Sequence, residues 1–188
     1  MPNLAPFYAA IISLTLLAFS PQLTADESIT SPDGNIAFFI SNNDKNWLIY
    51  SVTFRDEAVV SESRLGLRFR TQERLDSDLK FLGASRQSSD QIWEQPWGER
   101  RLVRDHYNEL LVQLEGAGKQ RLDLRIRVFD DGVGFRYEVP AQPGYEEIQI
   151  VDELTEFHLP DNSIAWWIPG RAYNRYEYLY RKTGLEAI

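Results

Sequence analysis

The sequence predicts an all-β fold, an antiparallel β-sandwich, and three observations predict it. Nowhere does the apolar spacing hold a helical period over three turns. Arg121–Phe129 (RLDLRIRVF) alternates Leu122, Leu124, Ile126 and Val128 with Arg121, Asp123, Arg125 and Arg127, the period of a strand with one face in a core and one in water. Short runs rich in aromatic and β-branched residues recur every 8 to 15 residues or so, with turn signatures between them.

Taken in order, Ser31-Pro32-Asp33-Gly34-Asn35 is a turn, with Pro32 fixing φ and Gly34 supplying a positive one. Ile36–Ile40 is a strand, Ser41–Lys45 a polar turn, and Asn46–Phe54 a strand apolar on both faces, as in the middle of a sandwich. Glu57–Ser61 and Leu65–Phe69 are short strands. The irregular stretch Thr71–Gln95 predicts a strand over Leu79–Ser85 followed by a loop. Trp93-Glu94-Gln95-Pro96-Trp97-Gly98 reads as a rigid aromatic turn, a packed corner whose rings cover the sandwich end, with sugar stacking as the alternative. Arg101–Leu114 is a strong strand carrying His106, read as a hydrogen-bonded strand residue rather than a catalytic base. Glu115–Lys119 is a hairpin loop and Asp130-Asp131-Gly132 a tight turn into Val133–Val139, which Pro140 ends. The GVG there has neither the spacing nor the helix of a dinucleotide loop. Ala141–Glu147 is a loop, and Ile148–Ile150 and Glu153–Leu159 are the next expected strands.

With 188 residues the chain has room for one domain and its core. Aromatic residues make up 13%, a richness that suits β-structure or carbohydrate contact. A net charge of −8, with no block of Lys and Arg, excludes nucleic acid as a partner. There is no Cys, hence no disulfide, no thiolate metal site and no Cys nucleophile. Residues 1–25 carry no Lys, Arg, Asp or Glu, and Ala9–Phe19 has the length of a signal-peptide core rather than a membrane span. With Ala25 at a cleavage position, residues 1–25 are expected to be a signal peptide, and residues 26–188 an exported domain, periplasmic or secreted, with no membrane span after cleavage.

Ala165–Arg181 (AWWIPGRAYNRYEYLYR) holds two Trp, four Tyr, three Arg, one Asn and one Glu in seventeen residues, a mixture suited to a surface that holds something polar. Trp166-Trp167-Ile168 reads as a strand end, and Arg171–Arg175 as the loop after Pro169 and Gly170. Glu177, among Tyr173, Tyr176, Tyr178 and Tyr180, is either a surface charge with aromatic neighbours or a carboxylate held for a metal or a sugar.

WEQPWGERRLVRDHYNEL, RIRVFDDGVGFRYEVP, ELTEF, AWWIPG and NRYEYLYRKTGL, in this order and spacing, resemble the N-terminal domain of glycoside hydrolase family 97, α-glucosidases and α-galactosidases, from about Ile29 to the last residue. The resemblance implies a supersandwich-like β-domain packed on a catalytic (β/α)8 barrel, in an exported, calcium-dependent enzyme acting on α-linked oligosaccharides. It also implies that Glu177 donates to a calcium ion whose other ligands come from the barrel, since calcium takes about six to eight oxygens. Tyr173, Tyr176 and Tyr178 then either pack the two domains together or line a sugar pocket. In the family the catalytic carboxylates lie on the barrel, so this chain is expected to be truncated before them, incomplete at the C-terminal end of its sandwich and inactive by itself. Two other readings stay open: a free-standing carbohydrate-binding sandwich using Trp93, Trp97, Trp166 and Trp167, and a structural or assembly domain.

Overall fold

Where the sequence alternates, strands form and one row of side chains is buried. A computed structural model describes residues 27–170, 173–174 and 177–188. The expected signal peptide, residues 1–25, lies outside these, as do Arg171, Ala172, Arg175 and Tyr176 of the aromatic stretch. The first sheet joins β1 (Glu27–Thr30), β2 (Ile36–Asn42), β3 (Leu48–Phe54) and β4 (Glu57–Arg64) in that order, all antiparallel. After the short β5 (Leu67–Phe69), the second sheet joins β6 (Lys80–Glu94), β7 (Leu102–Glu115), β8 (Arg121–Phe129) and β9 (Gly132–Glu138), again in chain order and antiparallel. Two ribbons remain: β10 (Ile150–Glu153) pairs with β5, and β11 (Ile164–Trp167) pairs with β12 (Arg181–Gly184).

The two sheets bury facing rows, the arrangement of an all-β sandwich. Ile36, Phe38 and Ile40 of β2 and Leu48, Tyr50 and Val52 of β3 meet Leu110, Val112 and Leu114 of β7 and Leu122, Leu124, Ile126 and Val128 of β8 in one apolar cluster. Each fully buried side chain contributes roughly 1.5–3 kcal/mol relative to exposure. Phe38 and Tyr50 stack at 5.4 Å, and Phe135 of β9 leans on both. The Tyr50 hydroxyl donates to the Glu156 carbonyl at 2.8 Å, and burial, ahead of the neighbouring Tyr137, pushes its pKa up to about 12.

A buried acid lies in the segment between β5 and β6. Asp76, fully buried, accepts from Arg74 Nε at 3.0 Å and lies within 3.7–3.9 Å of Arg68 and Arg64. Gly66 makes this turn fit: its φ is +153° and a Cβ there would stand 2.6 Å from the Asp76 Cβ. The Gly66 amide donates to the Tyr137 hydroxyl at 2.9 Å, which ties the turn to the second sheet.

Several elements differ from expectation. The strand expected over Leu79–Ser85 continues to Glu94, because Ser85–Glu94 pairs residue for residue with β7 although its own side chains are mostly polar. The strand expected over Ile148–Ile150 starts at Ile150, and Glu153–Leu159 crosses β4 instead of forming a strand of its own. That crossing segment is held by Glu156 N to Arg64 O and Ser61 N to His158 O. β1 and β12, short and polar, gave no signal of their own.

Candidate functional site

The residues singled out for chemistry gather on the β11–β12 hairpin. Ala165 faces Thr183 and Trp167 faces Arg181 in its register, so the two strands clasp the loop that carries Glu177, four residues before β12 begins. The Trp167 indole donates to Thr183 Oγ1 at 3.0 Å, which pins its ring, and the Arg181 guanidinium lies 5.2 Å from the same ring. On the other face Lys182 stands 5.3 Å from the Trp166 ring. Trp166 is 65% exposed and Tyr173 95% exposed; Leu179 and Tyr180 also face water. The hairpin therefore carries an aromatic surface that the sandwich core does not cover.

Glu177 is exposed on this loop. Among the described residues no three His, Asp or Glu side chains stand together as a metal cage. One exposed carboxylate supplies one or two of the oxygens that calcium takes, so the described residues do not by themselves fit a calcium ion. Tyr173 has its side chain almost fully in water.

The other aromatic group expected to cover the sandwich end does not. β7 pairs with β8 only from Tyr107 onward, so Asp90–Glu94 and Leu102–His106 run past the sheet as a two-stranded ribbon. Trp97 at its tip is 84% exposed and Trp93 half exposed. Arg104 clamps Asp90 across the ribbon through two 2.7 Å hydrogen bonds. His106 sits at the ribbon's root as the expected strand residue, but its ring is not hydrogen-bonded as expected: Nδ1 stands 3.7 Å from Asp130 Oδ2, too far for a hydrogen bond, and has no partner among the described residues.

The sequence reading missed a charged network on the outer face of the second sheet. Glu109 is fully buried there, accepting from Arg127 Nε at 2.6 Å and from Arg125 and Gln87. Arg125 also holds Glu138 through its Nε at 2.6 Å and its Nη2 at 3.0 Å. Burial pushes the Glu109 carboxyl up, but the two arginines outweigh it and hold it below the usual carboxylate range. The alternating Arg and Asp of β8 were the available signal; the partner glutamates on β7 and β9 were not marked by it.

The comparisons with known proteins converge on one family. Residues 29–188 match the family model described as Glycosyl-hydrolase 97 N-terminal. The chain is similar to a probable retaining alpha-galactosidase of Streptomyces bingchenggensis (strain BCW-1), with 27% identity over 169 residues, 87% of this chain and 26% of that protein. It is also similar to a Glycoside Hydrolase Family 97 enzyme from Pseudoalteromonas sp. strain K8, solved in complex with panose. The identity is 40% and the TM-score 0.76, covering 84% of this chain and 24% of that one. A beta-arabinopyranosidase crystal structure matches with 26% identity and a TM-score of 0.69, over 74% of this chain and 22% of its own. The chain thus spans about a quarter of the length of these relatives.

Proposed function

Because the chain belongs to the glycosyl hydrolase 97 N-terminal family, we propose that it is the N-terminal β-sandwich of an exported, calcium-dependent α-glycosidase. In this reading the sandwich packs on a catalytic (β/α)8 barrel and mounts Glu177 as one carboxylate donor to a calcium ion at the boundary between them. The observation that carries it is the β11–β12 hairpin: a rigid clasp, closed by the Trp167–Thr183 bond, that presents Glu177 and an uncovered aromatic surface at one place. Exposed aromatic patches of this kind mark surfaces that another domain or ligand covers. Supporting the export reading is the charge-free, apolar pattern of residues 1–25. The carboxylates that cleave an α-linked oligosaccharide belong, in this reading, to the barrel, and the chain alone turns over no glycoside.

The test is made on the enzyme encoded by the whole reading frame to which the chain belongs. Its hydrolysis of an aryl α-glucoside and an aryl α-galactoside should fall on chelation and return with calcium, and Glu177→Gln should raise the calcium requirement by about tenfold or more. Activity indifferent to both chelator and Glu177→Gln would overturn the calcium role. Turnover by residues 26–188 alone would overturn the division of labour.

One observation favours the second reading, a carbohydrate-binding sandwich without catalysis: Trp97 and Trp166 are both mostly exposed, as the rings of sugar platforms are. Binding of maltose by the purified chain, lost in Trp97→Ala or Trp166→Ala, would support it.

A further inference from the structure

The outer face of the second sheet contains a small basic cup that the reading above does not use. Leu124, Ile126 and Val128 of β8 point into the core, so Arg125 and Arg127 stand on the opposite face. The β8–β9 register sets Gly134 across from Arg127 and Arg136 across from Arg125. Between them lies an open depression of ≈ 210 Å³, bounded by Arg125, Arg127, Phe129, Gly134, Phe135 and Arg136.

Gly134 is the telling residue. Its φ lies outside the left-handed region, and a Cβ built on it would meet nothing within 4 Å. Neither backbone conformation nor crowding inside the chain calls for glycine there. A glycine inside a strand costs about 0.5–1 kcal/mol relative to alanine, and such a position often marks where a ligand approaches the backbone.

The arginines beside it have donors to spare. Arg127 spends its Nε on Glu109 and lays its flat face 4.4 Å from the Tyr107 ring, leaving both terminal amino groups without an acceptor among the described residues. Arg136 uses Nε and Nη2 on Glu138, leaving Nη1. Glu109 and Glu138, with Asp123 beside Arg125 and Asp105 near Arg127, stand against the guanidinium groups of this face, so the cup offers free guanidinium donors without a large excess of positive charge. That balance suits a single carboxylate, which an arginine fork grips in two places, better than a doubly charged phosphate. The volume is below the roughly 300–1,000 Å³ of pockets for larger ligands, and fits one ring.

We propose that this cup binds an acidic sugar of the uronate class, its carboxylate held by Arg127 and Arg136 and its ring lying over Gly134 against Phe129. The site is separate from Glu177 and does not depend on the glycosidase reading.

Isothermal titration of the purified chain with glucuronate, glucose and acetate tests it. Glucuronate should bind saturably and more tightly than either of the others. Arg136→Gln should weaken it about ten- to hundredfold, the loss of one charge-assisted hydrogen bond. Gly134→Val, which fills the cup at an exposed strand position that tolerates valine, should abolish binding with an unchanged far-UV circular dichroism spectrum. Absence of saturable glucuronate binding overturns the proposal, and so does binding that both Arg136→Gln and Gly134→Val retain. Equal affinity for glucose overturns the carboxylate's role, and equal affinity for acetate overturns the sugar's.

Discussion

Arg127 Nε donates to Glu109 Oε2 at 2.6 Å on the sheet face that looks away from the core, and the carboxylate it covers is only 2% exposed. A charge buried by other side chains rather than by the core depends on them. Glu109→Ala leaves Arg125 and Arg127 facing one another without their shared acceptor and is expected to cost about 3 kcal/mol. Arg127→Ala, which removes a partly exposed cation and leaves Arg125 in place, should cost about 1 kcal/mol. Urea unfolding of the two variants checks the order; equal losses would contradict it.

Acid should loosen the same network. Arg125, ahead of Arg136, lowers the Glu138 carboxyl from 4.5 to about 2. A folded pKa below the unfolded one gives stability that is complete above pH 4.5 and is lost as pH falls towards 2. Melting temperatures between pH 5 and 2 should therefore fall less steeply for Glu138→Gln than for the natural chain, from a lower starting point.

The turn at Gly66 tolerates no side chain. A methyl there meets the Asp76 Cβ at 2.6 Å and must adopt φ +153°. Gly66→Ala is expected to destabilise by about 3 kcal/mol or more. Gly34→Ala, at φ +76° with open space around it, should cost only about 1 kcal/mol. Thermal unfolding of both separates crowding from conformation.

The ribbon tip behaves as surface. Trp97→Ser removes a ring that is 84% exposed, and stability should change by less than about 0.5 kcal/mol. A larger loss would mean that the ring does cover the sandwich end.

That last point shows where sequence and structure part. The Arg121–Phe129 strand was legible to the residue, since its alternation is enforced by a core on one side and water on the other. β2, β3, β7 and β9 were legible from their apolar and aromatic runs, which supply side chains to the same core. The far half of β6 was not: Ser85–Glu94 has few apolar residues to alternate, and its strand state is imposed by the partner it pairs with. Trp93 and Trp97 suggested burial by their size, yet the two-stranded ribbon carries them beyond any surface that could cover them. Glu177 was singled out by family likeness; it is exposed, and among the described residues no group of three acidic or His side chains marks a metal.

None of the five tryptophans of this chain is buried: Trp47 and Trp167 are partly covered, and Trp93, Trp97 and Trp166 face the solvent. Indole emission from the folded chain should accordingly already resemble that of rings in water and shift little when the sandwich opens. Unfolding of this protein is better followed by the stacked Phe38–Tyr50 pair in the near ultraviolet, which only an intact core holds together.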